Sequence, residues 1–159
     1  GGRRVGPAQA NRCRAVGVDG GTGAGGGAAE RGGRNRSECS VELGGNNARV
    51  VRGDAGMEGA ARGAVQACFS NAGQLCLAAE RVYVVESAYD AFREAFVREA
   101  ERLTLGTGYG YGDDLGSLID ADQLDRVRAH VDDARERGAT VETGGRPRPE
   151  AGPACFEPT

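Results

Sequence analysis

RVYVVESAYDAFREAFVREAERLT, residues 81–104, sets a short run of β-branched and aromatic residues directly before an amphipathic stretch. Arg81 to Val85 has the length and composition of a strand. From Ser87 to Thr104 the apolar residues fall at helical spacing, with Tyr89, Phe92, Phe96, Ala100 and Leu103 on one stripe and Ser87 and Asp90 at capping-box spacing ahead of it. The same alternation extends in both directions. Downstream, Asp120 to Arg137 predicts a second helix, opened by Asp120 and Gln123, turned inward through Leu124, Val127, Val131 and Ala134, and stopped by Gly138. Ala139 to Thr143 (ATVET) then reads as another strand. Upstream, residues 56–69 predict a helix weakened by Gly56, Gly59 and Gly63. Short apolar runs alternating with amphipathic helices indicate an α/β fold.

The chain has 159 residues, enough for one ordinary domain or parts of two. Its 20 basic residues, all Arg, and 23 acidic residues leave a net charge of −3, which offers no electrostatic footprint for a phosphate backbone. A nucleic-acid partner is therefore not expected. No run approaches the roughly 18 apolar residues of a membrane span, and the Arg/Gly-rich start lacks the apolar centre of a secretory signal. A cytoplasmic protein with no membrane partner is the expectation. The five cysteines, Cys13, Cys39, Cys68, Cys76 and Cys155, form no CxxC pair, so neither a disulfide framework nor a metal site is expected. Residues 1–37 are rich in Gly and Arg and read as a linker or poorly packed segment.

Three stretches could carry chemistry. In GGTGAGGG, residues 20–27, Gly21, Gly23 and Gly26 satisfy the Gly-x-Gly-x-x-Gly spacing of a dinucleotide loop. Low complexity explains the same spacing, since a convincing loop needs a strand before it and a helix after it, and Val16, Gly17 and Val18 make a poor strand. There is no Lys for an NTPase-type phosphate loop. In VELGGNNA, residues 41–48, an acid ends an apolar run before two glycines that permit a sharp turn and close approach of a ligand. A solvated Glu at a strand end would look the same. In FSNAGQLC, residues 69–76, a cysteine follows small and polar residues after a helix, where substrate could approach it. An inert buried thiol is the competing reading. Cys68 lies within the helical pattern beside Phe69 and reads as core, and His130, the only histidine, reads as a surface residue.

VELGGNNA and FSNAGQLC together resemble the acid motif and the cysteine motif of the aldehyde dehydrogenase family, in the family's order and with its separation of 34 residues between Glu42 and Cys76. VDGGTGAG, residues 18–25, falls where that family has its Phe-Thr-Gly-Ser-Thr cofactor loop. The likeness continues through ERVYVVES, GSLID at 116–120, HVDDA at 130–134 and the closing FEPT, and is greatest to bacterial succinate-semialdehyde dehydrogenases. Two departures stand out. Val18, Asp19 and Gly21 replace the loop's Phe, Thr and Ser, and an acid at Asp19 opposes a pyrophosphate; Asn46 and Ala48 stand where Lys and Pro are common.

The resemblance implies part of the aldehyde dehydrogenase fold: residues 1–43 as a Gly/Arg-rich remnant of the Rossmann-like cofactor domain, and residues 44–159 as the first part of the catalytic domain. It implies Cys76 as nucleophile, Glu42 as general base, Gly20, Gly21, Thr22 and Gly25 as cofactor-binding residues, NAD or NADP as cofactor, an aldehyde such as succinate semialdehyde as substrate, and homo-oligomers among full-length members. Cys76 would attack the aldehyde to give a thiohemiacetal and then a thioester, which a water activated by Glu42 would hydrolyse. The oxyanion-hole Asn and the ribose-gripping Lys would precede residue 1, and the Glu of a Glu-x-Phe-Gly-Pro motif would follow Thr159. The chain alone is therefore expected to be inactive and to fold weakly. A Gly-rich nucleotide-binding module and a noncatalytic remnant are the alternatives.

Overall fold

Val16 and Val18 alternate with more exposed neighbours, the period-2 pattern of a strand with one covered face. They lie on β1 (Ala15–Asp19) in a computed structural model that describes residues 14–159; Cys13 and the rest of the N-terminal stretch are outside the described residues. β1 is followed by α1 (Thr22–Arg34) and by β2 (Glu38–Glu42), which pairs with β1 in parallel register from Ala15 opposite Glu38 to Asp19 opposite Glu42. The linker reading of residues 1–37 is thus corrected from Ala15 onward, since residues 15–42 form a strand–helix–strand unit. Six of the thirteen residues of α1 are glycine, a composition poor in helix propensity. Packing compensates: Gly25, Ala28 and Gly32 are buried, and a Cβ on Gly25 would stand 2.6 Å from Leu43 Cδ2. The missing side chain lets the helix approach closely, a tertiary effect that composition does not register.

The chain divides after Gly45 into two compact units. The second opens with β3 (Asn47–Val51), α2 (Met57–Phe69), a 3-10 turn at Ser70–Gly73 and β4 (Ala79–Val84), which pairs in parallel with β3. The register slips between Asn47, opposite Ala79, and Ala48, opposite Arg81, so one extra residue of β4 bulges at the start of the ladder. A 3-10 turn at Glu86–Ala88 leads into α3 (Tyr89–Glu101), and α4 (Ala121–Glu136) follows a long loop.

The core is Val51, Ala61, Ala64, Phe92 and Ala95, with Met57, Val82, Val84 and Phe96 packed against it. Alanines on both α2 and α3 let the two helices pack closely, and Phe92 and Phe96 stack at 5.6 Å between ring centroids. Full burial of a side chain such as Phe92 contributes about 1.5–3 kcal/mol. The helices over 56–69, 87–104 and 120–137 and the strand over 81–85 are all present, with shifted ends. Ser87 lies in the 3-10 turn and caps nothing, and Ala95 rather than Tyr89 completes the buried stripe of α3. Asp120 does cap α4, accepting a hydrogen bond from the Gln123 N–H at 2.9 Å, and Gly138 ends it at φ 87°.

Two further expectations fail. Residues 139–143 form no strand, because no described strand pairs with them. The apolar side of α4 is not buried either: Leu124, Val127, Val131 and Ala134 are only half-covered. Val131, Ala134 and residues 139–143 instead border an open apolar groove of about 350 Å³, whose opposite wall includes Phe69, Val84 and Phe92. No helix of the described residues is long and apolar enough to cross a membrane.

Candidate active site

In parallel sheets the carboxyl ends of the strands are where loops can meet a ligand. β1 ends at Asp19 and only Gly20 and Gly21 precede α1. Gly21 is the N-cap, in extended conformation, with no side-chain hydrogen bond to the helix and no acid in the first turn. The backbone N–H groups of this first turn are therefore uncapped by side chains, the local condition under which a helix N-terminus accepts an anion. Gly20, Gly21 and Thr22 all lie exposed at this end, whereas Gly25 lies one turn on and is buried against Leu43. Gly25 serves packing in this unit. The strand before and helix after, which the Gly-rich spacing required, are both there.

Glu42 is exposed at the end of β2, and its carbonyl accepts a hydrogen bond from the Gly20 N–H at 3.0 Å. The parallel register sets Asp19 beside it, so two acids end neighbouring strands at the edge where a phosphate would be received. The uncapped helix N-terminus favours an anion at this edge and Asp19 disfavours one.

Cys76 is exposed and lies at the second position of a turn closed by the Ala78 N–H donating to the Leu75 carbonyl at 3.0 Å. Before it, Asn71 (φ 54°), Ala72 (φ 55°) and Gly73 (φ 73°) run in the left-handed region. For Ala72 this costs about 1–2 kcal/mol, a strain that the surrounding hydrogen bonds must hold. Gln74 supplies several of them. Its Nε2 donates to the Asn71 carbonyl at 3.1 Å and the Ser117 carbonyl at 3.4 Å, and its Oε1 accepts from the Ile119 N–H at 2.9 Å. On the other side, Asn47 Nδ2 donates to the Cys76 carbonyl at 2.7 Å and to the Ala78 carbonyl at 3.2 Å. The loop is thus tied to residues 117–119 and to the start of β3.

The other thiols differ. Cys68, at the end of α2, is half-buried, and burial pushes its thiol up from the ordinary value, which disfavours a thiolate. Cys155 is buried and raised for the same reason, and Cys39 is half-covered on β2, not in a loose segment. His130 is exposed on α4. Asn47 and Gln74 received no role from the sequence; Gln74 stands within the cysteine loop as a polar residue among small ones, whereas Asn47 lies 29 residues before Cys76 and leaves no local trace.

A model described as the aldehyde dehydrogenase family matches residues 2–159. A Mycobacterium ulcerans protein named "Putative succinate-semialdehyde dehydrogenase NADP(+) 2" is 44% identical over 155 residues, 98% of this chain and 30% of that protein. A relative named alike in Mycolicibacterium smegmatis is 43% identical over the same shares. Among solved structures, a betaine aldehyde dehydrogenase from Staphylococcus aureus in complex with NAD+ has a TM-score of 0.86 at 28% identity, covering 93% of this chain and 30% of that one. The succinate-semialdehyde dehydrogenase from Burkholderia pseudomallei gives 0.84 at 32% identity, covering 91% and 30%. The chain thus spans about 30% of the length of these relatives.

Proposed function

Because the chain belongs to the aldehyde dehydrogenase family, we propose that it carries the nucleophile, Cys76, and the general base, Glu42, of an enzyme that oxidises an aldehyde, with succinate semialdehyde as the first substrate to try. The unit before Gly45 is read as part of a cofactor-binding domain and the unit after it as part of a catalytic domain. The observation that carries the proposal is the exposed Cys76 thiol, on a turn held from two sides just after the left-handed run at 71–73, within a loop resembling the family's cysteine motif.

In this reading Cys76 attacks as the thiolate: a C–S bond forms, the carbonyl π electrons move to oxygen, and the oxyanion faces the loop backbone. Bound NAD or NADP would supply the hydride acceptor, held through its phosphates by the backbone of Gly20, Gly21 and Thr22, with Gly25 keeping α1 close to its strands. Once the carbon has lost hydride it is a thioester on Cys76. Glu42 takes a proton from water, the hydroxide adds to the thioester, and the C–S bond breaks to return the thiolate and release a carboxylate. Full-length proteins of this kind are proposed to be homo-oligomers acting in the cytoplasm.

The test is thiol selectivity. With limiting iodoacetamide and peptide mapping on the folded 159-residue chain, Cys76 is expected to label before Cys39, Cys68 and Cys155. Faster labelling of Cys39 in a sample with a cooperative unfolding transition would remove the basis for a tuned nucleophile.

A further inference from the structure

We infer that Asn47 is a positioning residue for the nucleophile, acting by holding the main-chain carbonyl of Cys76; this rests on the reading of Cys76 given above. Asn47 is the first residue of β3 and is only half-exposed. One amide nitrogen, Nδ2, reaches two carbonyls, those of Cys76 at 2.7 Å and Ala78 at 3.2 Å, on either side of Leu77. The register of β3 against β4 slips at the same place, between Asn47 and Ala48. Arg81 adds a second tie at the same place, donating from Nη2 to the Asn46 carbonyl at 2.9 Å.

The geometry has an electrostatic consequence. A peptide carbonyl carries partial negative charge, and a thiolate on the same residue is destabilised whenever that oxygen swings towards it. Donation from Asn47 holds the Cys76 oxygen towards β3. On the other flank, Gln74 fixes the residues before the thiol through the Ile119 N–H and the Asn71 carbonyl. Asn47 therefore fixes a peptide plane next to the sulfur at one side of a turn whose other side is already anchored. Loss of the donor frees that plane without touching the thiol itself.

The experiment measures the iodoacetamide rate of Cys76 against pH in the 159-residue chain, with Cys39 and Cys68 as internal references and far-UV circular dichroism as the folding control. Asn47→Ala is expected to move the Cys76 curve towards alkaline pH, so that labelling at neutral pH falls by about three- to tenfold, tenfold being the loss for one unit of displacement. Cys39 and Cys68 keep their rates. Mere loosening of the loop would act the other way, raising the Cys76 rate at every pH without displacing the curve, and that result overturns the assignment. Asn47→Ser retains a donor able to meet one carbonyl, so its curve should lie between the other two. If Asn47→Ala loses its folded spectrum, Asn47→Ser against the parent decides: a smaller alkaline displacement supports the role and coincident curves overturn it. A parent chain in which Cys76 is not the fastest thiol overturns the functional reading instead. Parent-like Cys76 behaviour in folded Asn47→Ala removes this inference alone.

Discussion

Glu42 ends its strand beside Asp19, and the two acids stand in very different relation to the proposed chemistry. Glu42 is asked only to activate water, so in a chain spanning the relatives' full length, Glu42→Gln should slow thioester hydrolysis far more than acylation. A pre-steady-state burst of reduced cofactor is expected to survive while steady turnover falls by about 100-fold or more. Equal loss of burst and steady state would mean that Glu42 acts before the thioester forms. Glu42 and Cys76 could be proposed from the sequence alone, because each lies in a contiguous motif and the two motifs stand at the separation of the family they resemble. Asn47 could not, since its partners are the Cys76 and Ala78 main-chain carbonyls, which bear no sequence signature, and only the folded turn brings them within 3.2 Å of it. The contrast between Cys68 and Cys76 was readable from neighbours alone: an apolar helical setting for one and a loop of small residues for the other.

Among the elements, α2, α3 and α4 could be read because each places its apolar residues at helical spacing, which reports the side that is covered. α1 could not. Its stability comes from glycines that admit Leu43 and Cys39 to the helix surface, and a glycine-rich string has the same appearance whether it packs or not. This distinguishes two neighbouring substitutions. A Cβ at Gly26 meets nothing, so Gly26→Ala should stabilise the chain by about 0.5–1 kcal/mol through helix propensity. Gly25→Ala gains the same propensity but forces Leu43 to swing aside, and is expected to be the less stable of the two in urea unfolding followed by circular dichroism. Equal gains would mean that α1 does not depend on its close approach to Leu43. The strand expected at 139–143 failed for a different reason: β propensity describes a willingness to pair, and pairing needs a second strand that the described residues do not provide.

For the molecule as a whole, the α/β class and the family were legible, while the extent of the apolar surface left uncovered was not. The half-covered stripe of α4 and residues 139–143, which join no strand among the described residues, leave the groove beside Phe69, Val84 and Phe92 open. The 159-residue chain is therefore expected to bind the dye ANS in native buffer, and Val131→Gln should reduce that fluorescence without changing the far-UV spectrum. Absence of dye binding by the parent chain would mean that the groove closes in solution. Inside a cell, the same groove is a matter of turnover. Chaperones and proteases sort polypeptides by the apolar surface and unpaired backbone they display, and a chain presenting both side by side competes for their attention even when every helix is formed. Abundance in vivo would then be set by the α4 wall and the backbone at 139–143, far along the chain from the chemistry of Cys76, and by whatever covers them.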